Sequence, residues 1–394
     1  MTVAKSILQS IENASWIRRM FEAGKALKQV HGENNVFDFS LGNPVLEPPA
    51  AFVKALRDLA NDPPPGMHRY MSNNGLAETR TAVAEVMSEQ EGVNLSADDV
   101  VMTSGAAGGL NVALKSILNP GEEVIILNPY FVEYGFYTRN AGGVPRFVET
   151  KENFDLDLDA IAAAITAKTK VILINTPNNP TGKIYPQAQL TALAALLTEQ
   201  ERQLGTCIYL LSDTPYAKIT YDGLKNPKLL GEHANSILVH SHSKDLGLAG
   251  ERIGYLLINP DAAYRDDLRA AFSFNNRTLG FIHAPAMMQY ALRSSLRASI
   301  DVDHYRELRE MLCNGLRQLG FDFETPQGAF YLFPKTPIAD DVEFCRLAQE
   351  HNLLLVPGSG FGRAGHVRIA YCVKEATIER ALPQFEKLMS RFKQ

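Results

Sequence analysis

The 394-residue sequence lacks most of the marks of a secreted, membrane-spanning or nucleic-acid-binding chain. Its four cysteines, Cys207, Cys313, Cys345 and Cys372, stand far apart and form no Cys-x-x-Cys pair. Neither a zinc site nor a disulfide framework is therefore expected, and no metal ligands are assigned. No window approaches the ~20 consecutive apolar residues that a spanning helix needs. The formal net charge of -5 is mild, which argues against a nucleic-acid surface or a polybasic membrane anchor. The opening stretch MTVAKSILQSIENASWIRRM has no basic segment followed by an apolar core and a small-residue cleavage site. It reads as an amphipathic helix rather than a secretory leader, so a cytoplasmic location is expected by default. Internal repeats and low-complexity tracts are absent as well.

What is present is an ordinary core-forming composition, 45% apolar, in a chain long enough for about two to three domains. Short β-branched or apolar runs are expected as strands at Val100–Thr103, Glu123–Leu127, Pro145–Glu149, Val171–Asn175, Cys207–Ser212, Ser236–Ser241 and Ile253–Ile258. Helical spacing lies between several of them, as at Leu110–Ile117 and Leu190–Gln203. This alternation predicts an α/β unit with a mostly parallel sheet covered on both faces. After about Pro285 the texture changes. A long helical segment, Ala291–Leu319, leads into short strands at Phe321–Glu324, Ala329–Phe333, Leu353–Val356 and Val367–Tyr371, then a closing helix, Lys374–Phe392. The expected division is a large unit over 46–285 and a smaller α+β unit made of 1–45 and 286–394, with Val36–Phe39 extended.

In open α/β sheets, ligands bind beyond the carboxyl ends of the strands, so the residues just after each strand carry the chemistry. Ser104-Gly105-Ala106-Ala107-Gly108-Gly109 opens a helix; it reads either as an anion cradle or as a plain turn. Asn128–Tyr134 supplies aromatics that would stack on a flat ring or simply join the core. Thr176–Gly182 is a turn-forming run whose Asn179 is able to donate to an oxygen. Asp213, beside Tyr216, reads equally as a helix N-cap or a buried carboxylate with a partner. Lys244 follows the sixth strand, between Ser241 and Arg252, and a solvated loop lysine is the bland alternative. Taken together these groups suit a phosphorylated, electron-withdrawing aromatic aldehyde. A lysine forms an imine with it, a carboxylate keeps its ring nitrogen protonated, and hydroxyls, amides and an arginine hold its phosphate and phenolic oxygen.

At this point the sequence resembles the class I and II aminotransferases, the fold-type I pyridoxal-phosphate enzymes. The runs TSGAAGGL, NPYF, NTPNNPTG, SDTPY, SHSKDLGLAGERIGY, PQGAFYLF, VPGSGFG and HVRIAY occur in the family order between about Leu41 and Tyr371. The resemblance implies a large domain with a mostly parallel seven-stranded sheet, a small domain built from both termini, and a homodimer with shared active sites. It implies Lys244 as the Schiff-base lysine, Asp213 as partner of the pyridinium nitrogen, and Asn179 and Tyr216 as partners of the phenolic oxygen. Phe131 resembles the stacking ring, and Gly105, Ala106, Ser241 and Arg252 resemble the phosphate site. Tyr70 resembles a tyrosine reaching the phosphate from the other subunit. Arg368 resembles the arginine that grips the substrate α-carboxylate, a task suited to a planar two-pronged group. Gly42 and Asn43 fall in the loop that approaches substrate.

The implied reaction is a double displacement in which Lys244 is base and proton carrier at Cα. A desolvated lysine near a cationic group suits that role better than a free one. The substrate lean is toward aspartate with 2-oxoglutarate, because Arg277 lies near where dicarboxylate-specific relatives donate a second arginine across the dimer. An interface salt bridge is the alternative for Arg277. Transamination of alanine or of other neutral or aromatic amino acids, and carbon–sulfur lysis or decarboxylation on the same scaffold, are the competing readings. A transcription regulator on this fold would need a DNA-binding segment, for which no basic stretch is present. The chain departs from the family at Val45-Leu46-Glu47, at Thr214 and at His242, the last read as a packing residue.

Overall fold

The computed structural model describes residues 3–12 and 16–392. Its centre is a seven-stranded sheet: β1 Val100–Thr103, β2 Glu123–Asn128, β3 Val144–Glu149, β4 Thr169–Asn175, β5 Tyr209–Asp213, β6 Ser236–Ser241 and β7 Gly254–Ile258. The spatial order is β1-β7-β6-β5-β4-β2-β3, and β7 alone runs against its neighbours. The expected strands match to within two residues at each end. The near-continuous apolar runs arise because both faces of the sheet are covered. Side chains alternate between two cores: Met102, Ile125, Ile172, Leu210 and Leu238 face one, Val101, Val124, Val171, Leu211 and Val239 the other.

The register places the chemistry at one edge. Asn175 pairs with Asp213, and Asp213 with Val239. Gly254, at the start of the reversed β7, pairs with both Ser241 and Thr103. The ends of β1, β4, β5 and β6 therefore open onto the same rim.

A third core gathers Phe37 and Phe39 with Tyr305, Phe330, Tyr331, Ile369 and Phe385. Phe37–Asp38 pairs in parallel with Leu353–Leu354, and Val367–Ala370 lies between Val356–Pro357 and Tyr331–Leu332 as an antiparallel sheet. Two expectations differ from the structure here. The single helix Ala291–Leu319 is two, Ala286–Leu292 and Val302–Gln318, the second restarted by Asp301, whose carboxylate accepts from the His304 N–H. Phe321–Glu324 forms no strand. Met288, Ala291, Leu292 and Leu296 also belong to a core of the large sheet rather than to the third core. The expected opening helix falls within Lys5–Glu12 and Trp16–His31, with residues 1–2 and 13–15 outside the described residues. Among the described residues no helix is long and apolar enough to cross a membrane.

Candidate active site

Asp213 ends β5 with its side chain fully enclosed. Its Oδ2 accepts a 2.6 Å hydrogen bond from the Tyr134 hydroxyl, while Oδ1 has no partner. Burial raises its pKa to about 6, against the Tyr134 hydrogen bond and the nearby His240, which both pull it down. Asn175, one strand over, braces two elements at once. Its amide donates to the Asp213 carbonyl at 2.9 Å, and its Oδ1 accepts from the Asn179 N–H at 2.7 Å. The Thr176–Gly182 loop is thus tied to the strand that presents the carboxylate.

Lys244 lies on the single turn His242–Asp245, whose start is capped by the Ser241 hydroxyl accepting from the Ser243 N–H. The ammonium donates to the Gly42 carbonyl and lies 5.7 Å from the centre of the Phe330 ring. Burial is the first cause that brings the Lys244 pKa down to about 8; Arg368 and Arg252 push the same way and Cys372 opposes them. An amine so placed is a base near neutrality without losing its nucleophilicity.

The stretch around Gly105 reaches the same rim. Helix Gly105–Ile117 starts at the rim with Ala106 and Ala107 facing the cavity. Gly105 has φ +67, and a β-carbon there would come within 2.8 Å of the Arg252 guanidinium. Arg252 itself has φ +53, a conformation that costs a non-glycine residue energy and is held by its surroundings. Its guanidinium donates to the Ala249 carbonyl at 2.9 Å and the Ser243 hydroxyl at 3.4 Å, and the Ser241 and Ser243 hydroxyls are 2.8 Å apart.

Arg368, on the Val367–Ala370 strand, is 2% exposed and lies between the rings of Tyr331 and Phe361, 4.7 Å from each centre. It donates to the Ser40 carbonyl at 2.6 Å and to Asn179 Oδ1 at 3.1 Å, and its Nε has no partner. Among the described residues no carboxylate pairs with it. Burying an arginine without a carboxylate partner is costly, and the side chain is suited to pairing with an anion. The Tyr216 and Tyr331 hydroxyls are 2.8 Å apart. A β-carbon on Gly42 would overlap the Tyr331 hydroxyl, so only glycine permits this approach.

Of the residues singled out from sequence, Ala106, Phe131, Asn179, Asp213, Tyr216, Ser241, Lys244 and Arg252 line one cavity of ≈ 190 Å³. Gly42, Gly105 and Arg368 touch its lining residues. Asn43 is exposed on the loop beside Gly42. Tyr70, 87% exposed and edge-on to His283, does not line the cavity of its own chain; nor does Arg277, which is exposed over the Phe274 ring. Sequence reasoning did not assign Tyr134, Asn175, Ser243 or Tyr331. Tyr134 and Tyr331 fall inside stretches that were noticed, but their hydroxyl partners are 79 and 115 residues away.

The chain matches the family model for aminotransferase class I and II over residues 34–385. An aspartate/prephenate aminotransferase from Thermus thermophilus is 33% identical over 340 residues, which is 83% of this chain and 84% of that protein. An aspartate aminotransferase from Thermotoga maritima is 32% identical, covering 93% of this chain and 94% of that protein. Among solved structures, an amino transferase from Eubacterium rectale superposes with a TM-score of 0.96 at 36% identity, covering 100% of both chains.

Proposed function

The chain belongs to the class I and II aminotransferases, and from that premise we propose that it binds pyridoxal 5'-phosphate at this cavity and transfers the amino group of aspartate to 2-oxoglutarate. The observation that carries the reading is a convergence: a buried amine, a buried carboxylate with a free oxygen, and an anion cradle border one cavity. Those residues fit the cofactor chemically. Asp213 Oδ1 is available to a protonated ring nitrogen, Phe131 offers a ring face, and Asn179 and Tyr216 offer donors for a phenolic oxygen. Ala106, Ser241 and Arg252, with Gly105 leaving room for the guanidinium, would hold the phosphate.

When bound, pyridoxal phosphate supplies a carbonyl that condenses with amines and a ring that accepts the electrons released at Cα. The protein's residues do the rest. Lys244 Nζ, whose hold on its proton burial weakens, would take the Cα proton and return it to the cofactor's aldehyde carbon. Asp213, ionised, holds the ring nitrogen's proton in place. Arg368 holds the substrate α-carboxylate, exchanging its contact with a neutral carbonyl for a charged partner. Gly42 and Asn43 lie on the loop over the substrate, and Tyr216 is steadied by Tyr331.

We assign Tyr70 and Arg277 to the neighbouring subunit's site in a homodimer. Both are exposed, and their segments are joined: Asn276 donates to the Asn73 carbonyl at 2.7 Å, and Asn73 to the Ile282 carbonyl at 2.8 Å. Arg277 would then hold the distal carboxylate that distinguishes aspartate from alanine. The division into a large unit and a smaller unit of both termini is proposed with a later junction, past Leu296, because the residues up to there pack with the large sheet.

The test is to add amino acids singly to the cofactor-loaded protein without an acceptor. Loss of the absorbance of the lysine-bound cofactor, with one oxo acid formed per site and aspartate ahead of alanine, is expected. Catalytic release of pyruvate and ammonia would instead indicate carbon–sulfur lysis. An aspartate-to-alanine preference unchanged in Arg277→Ala would remove the role given to Arg277.

A further inference from the structure

Behind Lys244 and Asp213 lies a group that the reading above does not use: the buried His240, His242 and Asp245, with the partly exposed Lys218. Asp245 directly follows Lys244, and Thr214 directly follows Asp213. His240 spans the two. Its Nδ1 is 2.8 Å from the Thr214 carbonyl, its Nε2 is 3.2 Å from Asp245 Oδ2, and the Thr214 hydroxyl, farther from Nδ1 at 3.4 Å, donates to the Val239 carbonyl at 3.1 Å. A carbonyl only accepts, so Nδ1 carries a proton.

Whether Nε2 carries one depends on Asp245. That carboxylate is fully enclosed, yet Lys218 Nζ lies 3.2 Å from Oδ2 and His242 Nδ1 lies 3.2 Å from both oxygens. Burial alone would favour the protonated acid; the Lys218 ammonium beside Oδ2 and the hydrogen-bond contacts of the two imidazoles outweigh it and hold the Asp245 pKa below the usual carboxylate range. Asp245 is therefore an acceptor, and the Nε2 of His240 must donate to it. Both ring nitrogens of His240 face acceptors, which only the imidazolium satisfies.

His242 differs. Its Nε2 has no partner, and burial pushes its pKa down against the pull of Asp245, so it is neutral and donates through Nδ1. The three residues His240, His242 and Asp245 are close enough together to hold a metal ion, but the Lys218 ammonium, a competing cation, lies 3.2 Å from the Asp245 oxygen that His240 faces. Lys218 is anchored there by the carbonyls of Leu296 and Ala298, at 2.7 and 2.9 Å. The remaining charged or titratable groups near His240 are Tyr255, stacked at 5.0 Å, and Glu91 and Lys225, which line with His240 a second cavity of ≈ 370 Å³. Within this group Lys218 and His240 bring two positive charges against the single negative charge of Asp245.

We propose that His240 is a buried imidazolium that keeps Asp213 ionised, a positioning residue linking the turn of Lys244 to the strand of Asp213. The inference rests on the reading of Asp213 as the partner of the ring nitrogen only for its consequence in catalysis; the charge of His240 stands or falls without the cofactor. His240 does not touch the cavity that holds the reaction. Its effect reaches Asp213 through space and through the Thr214 backbone, and it lowers the proton affinity of that carboxylate. A unit charge one residue behind a buried carboxylate changes its ionisation constant by roughly tenfold.

Two measurements on the full chain decide this. In protein labelled with nitrogen-15 histidine, both ring nitrogens of His240, assigned by their loss in His240→Gln, should show protonated shifts at pH 7 with and without pyridoxal phosphate. An unprotonated nitrogen would overturn the proposal; should His240→Gln fail to fold, sequential backbone assignment through Val239 and Ser241 identifies the same signals in the unaltered chain. In the cofactor-free chain labelled with carbon-13 at the aspartate carboxyl, the Asp213 titration should move upward about tenfold in proton affinity in His240→Gln. His242→Gln, which removes a neutral contact to Asp245, should leave it in place. An Asp213 titration unmoved by His240→Gln, or moved equally by both variants, would show that His240 acts only as packing. Failure of the cofactor reading would register elsewhere, in which lysine the cofactor joins.

Discussion

Asp213→Asn should make the cofactor-free protein more stable at neutral pH, although it removes a group on which the proposed activity depends. The carboxyl is fully buried and its pKa is raised from 3.8 to about 6, burial being the main cause. A raised folded-state value means that the folded chain holds its proton more tightly than the unfolded chain. Below pH ~4 both states are protonated and no difference exists. Between pH ~4 and ~6 the unfolded chain ionises first, so stability falls as pH rises; above ~6 the full penalty of about 3 kcal/mol remains. Asparagine keeps an acceptor for the Tyr134 hydroxyl and carries no charge, so it should recover most of that penalty. For a chain of this length ~3 kcal/mol corresponds to roughly 4 °C in Tm. Thermal unfolding of both proteins without cofactor, from pH 4.5 to 8, should show a gap opening in favour of the variant as pH rises. With pyridoxal phosphate bound the order should reverse, because only the carboxylate pairs with a ring N–H⁺. A variant less stable at every pH without cofactor, or a gap that does not change with pH, would refute the reasoning.

Covalent attachment of pyridoxal phosphate to the cofactor-free chain should accelerate with pH and level off above about 8, since Lys244 is deprotonated there rather than near 10.5; stopped-flow absorbance checks it. Arg368→Lys should raise KM for the amino acid ~10–100-fold with a smaller change in kcat, because an ammonium cannot present the two-pronged fork held by Ser40 and Asn179. Gly42→Ala should displace the Tyr331 hydroxyl and the loop that accepts from Lys244, lowering stability by about 1–3 kcal/mol and kcat with it, read by thermal unfolding and steady-state kinetics.

The strands of the large sheet were legible because burial on both faces writes continuous apolar runs, and the turn residues after them mark the rim. Lys244, Asp213 and Asn179 stood out as polar residues directly after such runs. Tyr134 did not, because an aromatic near a strand end reads as core until its hydroxyl is seen 2.6 Å from Asp213. Asn175 is the last residue of its strand, and nothing in a strand's pattern shows a side chain turning to brace the next loop. The break between Leu292 and Val302 was hidden because the carbonyls of Leu296 and Ala298 are satisfied by Lys218, nearly 80 residues earlier. His242 was read as packing. The structure gives it a hydrogen bond to Asp245 and moves the electrostatic interest to His240, inside a strand where a histidine looks like a core residue.

The most direct test of the central assignment is to reduce the cofactor-loaded protein with borohydride, digest it and locate the pyridoxyl group by mass spectrometry. The account predicts a single modified site, Lys244, absent from Lys244→Ala protein that keeps its circular dichroism. Modification of a different lysine, or a Lys244→Ala protein that still turns over amino acid and oxo acid at a near-normal rate, would contradict it.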